Sequence, residues 1–181
     1  MNVTQLALPG VLLIEPTLFE DHRGFFFESF NHRRFESAVG KSVHFVQDNH
    51  SYSKQHVLRG LHYQIQQPQG KLVRVVSGEL LDVAVDIRKN SPTFGQWVSA
   101  VLSAENKKQL WVPEGFAHGF VVLSSAAELL YKTTDYWHAQ HERCIVWNDP
   151  DLNIDWQIRV TPTLTDKDAQ GSLLKTADIF L

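Results

Sequence analysis

Leu58-Arg59-Gly60-Leu61-His62-Tyr63-Gln64, followed by Gly70-Lys71-Leu72-Val73-Arg74, reads as two adjacent β-strands with titratable residues set among apolar ones. An unpaired buried charge is costly, so Arg59, His62, Lys71 and Arg74 should line a cavity, pair with one another or face water. Of these, the histidine has the ordinary pKa nearest neutrality, which suits it to proton transfer. The stretch predicts an active site inside a β structure.

Outward from it the same pattern recurs: a short strand, then a turn. Candidate strands are Val11–Glu15, Phe25–Phe30, Val43–Asn49, Val57–Ile65, Lys71–Ser77, Glu79–Arg88, Gln96–Leu102, Gln109–Val112, His118–Leu123, Glu128–Thr133 and Cys144–Trp147. Turn residues such as Pro68-Gln69-Gly70, Ser77-Gly78, Asn90-Ser91-Pro92 and Pro113-Glu114-Gly115 separate them. Only Asn31–Val39, opened by an asparagine cap, and the stretch after Thr165 read as helical. Many closely spaced short strands predict an all-β sandwich or barrel, with a jelly roll the best match. Residues 1–181 are expected to form a single domain with N-terminal strands and a C-terminal helical extension.

Composition narrows the function class. A net charge of −3, with no basic run, argues against nucleic acid or anionic lipid as partner. The N-terminus does not read as a secretory signal, and no apolar run approaches a membrane span. One cysteine, Cys144, offers neither an internal disulfide nor a thiolate cluster for zinc. The expectation is a cytoplasmic protein.

Parity along Glu79–Arg88 places Leu81, Val83, Val85 and Ile87 on one face and Leu80, Asp82, Ala84 and Asp86 on the other. On this pattern Asp86 is expected on a solvated face. Asp82 is expected either there or orienting a cationic or histidine partner in the barrel. Arg59 and His62 are three apart, so a regular strand would send them to opposite faces. Gly60 between them predicts a bulge or kink at Gly60–Leu61.

Pro113-Glu114-Gly115-Phe116-Ala117-His118 has the spacing Pro-x-Gly-x-x-His and resembles the second motif of cupins, whose histidine is in many members a metal ligand. The first-motif region here has His62 alone. Two histidines without a third or a carboxylate in register make a poor transition-metal site. The resemblance therefore implies a cupin with no metal and no other cofactor.

Longer blocks sharpen this. Asp21-His22-Arg23-Gly24-Phe25-Phe26-Phe27-Glu28-Ser29-Phe30, Phe45-Val46-Gln47-Asp48-Asn49-His50-Ser51, Val57–His62, Gln69–Arg74, Ser91–Trp97 and Leu129–Thr134 are similar, in order, to the dTDP-4-dehydrorhamnose 3,5-epimerase family. The resemblance runs from Pro9 to about Asp168. It implies an isomerase acting on a 4-keto-6-deoxyhexose carried on dTDP, inverting carbons 3 and 5 beside the ketone, in dTDP-rhamnose biosynthesis. It also implies His62 as base, Tyr131 as acid, Lys71 as the cation near the keto oxygen and Asp168 as the carboxylate that pairs with the base. Read alone, Tyr131 would be a core aromatic, Asp168 a capping or solvated group and His118 a hydrogen-bonded core histidine.

For the rest of the substrate the resemblance implies Arg23, Arg59 and Lys167 as diphosphate or pocket cations, since the arginine fork suits phosphate oxygens. It implies Glu28, Gln47, Asp48 and Asn49 near the nucleotide, His118 in the sugar pocket, and Tyr136 or Trp137 stacked on the base. Arg74 and Arg143 read equally well as surface or interface groups. Three consecutive aromatics, Phe25–Phe27, exceed what one sheet face can bury, so part of the run should be exposed for a partner. The resemblance, to a family that is dimeric with strands shared between subunits, implies a homodimer whose pocket borrows Arg23 or Glu28 from the other chain. Three other readings stand beside this one, and the sequence discriminates only weakly against the first. They are a single-carbon epimerase or keto-isomerase of the same fold, a metal-dependent cupin using His62 and His118, and a non-catalytic sugar-nucleotide binder.

Overall fold

The computed structural model describes residues 1–181. Its strands are β1 (Asn2–Gln5), β2 (Leu12–Glu15), β3 (Phe19–Asp21), β4 (Gly24–Phe26), β5 (Gln47–Lys54), β6 (Leu58–Gln64) and β7 (Lys71–Ser77). They continue with β8 (Glu79–Asp86), β9 (Trp97–Ser103), β10 (Gln109–Val112), β11 (Phe116–Val122), β12 (Ala126–Thr133) and β13 (Glu142–Cys144). Helix α1 (His32–Val39) follows β4, and α2 (Asp166–Ala169) lies near the C-terminus. One sheet has the order β1-β2-β10-β7-β12-β5 and the other β13-β6-β11-β8-β9, while β3 and β4 form a separate hairpin. The two face each other as a cupin-type jelly roll, as the strand spacing predicts. No helix is long and apolar enough to cross a membrane.

Period-two alternation accounts for three layers of core. Between the sheets lie Val73, Val75, Leu110 and Leu129 from one and Leu80, Ala84, Val98 and Phe120 from the other. The outer face of the second sheet carries Leu58, Leu81, Val83, Val85 and Val121, covered by the C-terminal residues Leu152, Trp156 and Leu174. The outer face of the first sheet carries Leu12, Ile14, Leu72 and Trp111, covered by Phe35 of α1 and by Val43. The Asn31 side chain caps α1 by accepting from the Arg34 amide, and Gly40 closes it in the left-handed region at φ 77°.

Because both faces of the second sheet are covered, the expected solvated face of β8 does not exist. Asp86 is fully buried and accepts from Arg88, Ser91 and Thr93. Burial alone would raise its carboxyl, but these donors outweigh that and bring the pKa down to about 2. Asp82 is likewise fully buried and accepts from His118 Nε2 at 2.7 Å, which is the histidine-orienting alternative.

Several predicted boundaries move. The strand expected at Val43–Asn49 begins only at Gln47 and runs to Lys54, because Val43 and Phe45 pack under α1. That expected at Phe25–Phe30 ends at Phe26, and the one at Cys144–Trp147 lies at Glu142–Cys144. Strands β1 and β3 carry no burial pattern that sequence periodicity could detect, both being exposed throughout.

Candidate active site

The irregularity expected at Gly60–Leu61 is present. His118 pairs with His62 and Phe120 with Arg59, so β6 gains a residue against β11 between them. Gly60 has φ +124°, and a Cβ placed on it would lie 2.5 Å from Gly119 Cα. Only glycine permits that approach. The shift leaves both Arg59 and His62 half-buried rather than on opposite faces. Arg59 Nε donates to Ser53 Oγ at 3.0 Å across the sheet gap.

His62 Nε2 and Asp168 Oδ1 are 2.5 Å apart. Asp168 is buried at the end of the polar segment Thr165–Asp168, where Thr165 caps α2 and its hydroxyl donates to Asp168 Oδ2 at 2.9 Å. Burial alone would raise the Asp168 carboxyl, but the hydrogen bond and charge of His62, the Thr165 hydroxyl and the Gly60 amide together hold its pKa below the ordinary value. An ionised carboxylate only accepts, so Nε2 carries the hydrogen and the lone pair of the neutral ring sits on Nδ1. That is the arrangement of an oriented base.

The facing sheet supplies the other groups. Lys71 lies at the start of β7 and is 9% exposed, with Nζ 3.5 Å from the His62 carbonyl oxygen. Burial lowers its pKa to about 8, against the opposing pull of the Glu142 and Asp82 charges. Tyr131 of β12 stands opposite Val73 and Asn49, on the barrel-facing side. Burial and then the Glu142 charge raise its hydroxyl, with Arg59 opposing, so it stays a proton donor.

Glu142, which sequence reading missed, ties the site together. It accepts from Lys167 Nζ at 2.7 Å and from Trp137 Nε1 at 3.2 Å. A glutamate at the head of the three-residue strand β13, directly after the turn Ala139–His141, has no periodic signal to mark it. The segment around Trp137 is held by Gln47 Oε1, which accepts from the Trp137 amide, and by Gln64 Oε1, which accepts from the His138 amide. Of the two candidate stacking aromatics, both are exposed but only the Trp137 ring is bonded into this network.

Hydrogen bonds, strand register and charge interactions thus link His62, Asp168, Lys71, Tyr131, Arg59, His118, Gln47, Asn49, Trp137 and Lys167 into one cluster. Three expected residues are not brought there by this chain. Asp48 points to the other side of β5 and pairs with Lys132 at 2.9 Å. Glu28 lies before α1 and pairs with Arg34. Arg23 sits on the exposed β3–β4 hairpin and pairs with Asp21 at 2.6 Å. The two histidines adjoin in register, which strand-by-strand reading did not see, and each holds through Nε2 a carboxylate that the sequence had offered for such a role.

The model of the family "dTDP-4-dehydrorhamnose 3,5-epimerase" matches residues 5–176. The chain belongs to this family. It is 64% identical over 180 residues to the dTDP-4-dehydrorhamnose 3,5-epimerase of Pseudomonas aeruginosa, covering 99% of each chain. Among solved structures it is similar to dTDP-6-deoxy-D-glucose-3,5-epimerase RmlC from Legionella pneumophila in complex with dTDP-4-keto-L-rhamnose. That match has TM-score 0.95 and 53% identity, covering 98% of this chain and 94% of that one. It is also similar to ChmJ, a 3'-monoepimerase from Streptomyces bikiniensis in complex with dTDP-quinovose. There the TM-score is 0.89 and the identity 34%, covering 94% and 87% of the two chains.

Proposed function

We propose that this protein epimerises carbons 3 and 5 of dTDP-4-dehydro-6-deoxy-D-glucose, giving dTDP-4-dehydro-L-rhamnose for dTDP-rhamnose biosynthesis. The observation that carries the proposal is the placement of an oriented imidazole and a protonated tyrosine on facing sheets, with a buried lysine on the tyrosine's sheet reaching the His62 carbonyl, in a chain of this family.

Each inverted carbon lies beside the ketone, so its proton is acidic enough for a neutral imidazole to remove. His62 takes that proton at Nδ1, and Asp168 stabilises the imidazolium. The negative charge moves to the keto oxygen, where the Lys71 ammonium opposes it. Tyr131 then gives its hydroxyl proton to the carbon from the opposite face. Water resets both groups, returning a proton to the tyrosinate and taking one from His62, before the second carbon reacts. Arg59, His118, Gln47, Asn49, Trp137 and Lys167 hold the sugar and nucleotide. Glu142 joins them by fixing Lys167 and Trp137.

Arg23, Glu28 and Asp48 fit this reading if the working unit is a homodimer in which the partner's hairpin reaches into the pocket. Phe19, Phe25 and Phe26 are all more than half exposed, and the hairpin has no covering element of its own. Such a patch is suited to burial against a second copy.

A single inversion is the second reading, supported by the likeness to ChmJ, since the same base, acid and cation serve one carbon as well as two. NMR analysis of the product from dTDP-4-dehydro-6-deoxy-D-glucose separates them. Inversion at both carbons is expected. A product inverted only at carbon 3 would establish the second reading, and unchanged substrate would refute both.

A further inference from the structure

Antiparallel pairing of β13 with β6 sets Cys144 directly opposite His62, and α2 brings Asp168 down onto the same spot. The imidazole nitrogen, the thiol sulfur and a carboxylate oxygen all lie within 4.8 Å of one another. The Cys144 sulfur is 3.9 Å from Asp168 Oδ1, too far to hold that carboxylate firmly, so the thiol has no evident part in proton transfer. We propose that His62, Cys144 and Asp168 form an inhibitory site for a zinc ion, which shuts the enzyme by capturing its base.

The donor set is one sulfur, one nitrogen and one oxygen, the mixture Zn²⁺ accepts, with a fourth position left for water. Zinc bonds of roughly 2.0–2.3 Å require ligand atoms about 3.3–3.8 Å apart in a tetrahedron. The 2.5 Å His62–Asp168 contact must therefore open by about 1 Å and the wider gaps close by a similar amount, within reach of side-chain rotation. Binding releases one proton, from the Cys144 thiol, whose sulfur lone pair forms the new bond. No electron transfer is involved. To ligate through Nε2, His62 moves its hydrogen to Nδ1. The lone pair that would accept the substrate proton is then gone, and Asp168 is held by the metal instead of the ring.

The inhibitory consequence rests on the assignment of His62 as base, whereas the binding itself does not. Calorimetric titration of the purified protein with ZnCl₂ should give one site per chain, and a matching concentration should abolish epimerisation reversibly on chelation. Cys144→Ala and Cys144→Ser should keep full activity without zinc, bind it at least ~10-fold more weakly and resist inhibition. His62→Ala should lose the same site in the titration. With Co²⁺ as probe, a sulfur-to-metal charge-transfer band should appear in the wild type and vanish in Cys144→Ala. The proposal is overturned if the wild type binds no zinc, or if Cys144→Ala binds it as tightly as the wild type. A wild type that binds zinc but does not turn over the sugar would sink the enzymatic reading and leave the metal site standing.

Discussion

Two histidines stand side by side on β6 and β11, each tied through Nε2 to a carboxylate, and His62 is the more open of the two. The His62 side chain is 25% exposed and that of His118 8%, with Asp82 completely enclosed behind it. That difference in accessibility favours His62 over His118 as the proposed base. His62→Ala should lower kcat by ~10²–10⁴-fold, the usual worth of a positioned acid or base, with much smaller loss of dTDP binding by calorimetry. Lys71 makes a pH prediction. Its ammonium is the active species, and burial brings its pKa to about 8, so kcat/KM should fall as pH rises past about 8. A fall centred instead near the ordinary lysine value of ~10.4 would contradict the lowering of the Lys71 pKa by burial. At this scale the sequence was legible where a residue sat inside a recognisable block, as His62, Lys71 and Tyr131 do. Glu142 was not, because its role comes from partners that meet only in three dimensions.

Strand β6 shows how an element can be read from one glycine. Parity raised the conflict between Arg59 and His62, and Gly60 offered the way out that the register shift takes. Gly60→Ala should cost on the order of 3 kcal/mol, combining overpacking against Gly119 with a left-handed φ. Urea denaturation checks this, and a midpoint unchanged from wild type would contradict the close approach of the two strands. The error on β8 has the opposite lesson. Alternating charge along a strand reads as a wet face only when nothing lies over it. Here Leu152, Trp156 and Leu174 cover the apolar side, and the first sheet covers the acidic side. Neither cover is local to the strand, so periodicity alone could not register them.

For the molecule as a whole, the chain divides its recognisable residues between a linked cluster in the barrel and an unsupported hairpin. If the hairpin serves the neighbouring barrel, Arg23→Ala and His62→Ala chains should complement each other. A random mixture contains half mixed dimers, each with one intact site, so about a quarter of wild-type activity should return after co-refolding. Return of no activity would place Arg23 outside the partner's pocket. The jelly roll itself was legible from turn spacing, whereas the hairpin's role was not, since an exposed segment takes its meaning from what covers it. The central claim, two inversions by one base and one acid on opposite faces, is tested most directly by mass spectrometry of product formed in D₂O. Wild type should incorporate two carbon-bound deuterons per sugar, while Tyr131→Phe should exchange deuterium into the substrate without inverting it. A single deuteron in the wild-type product, or normal epimerisation by Tyr131→Phe, would contradict the account.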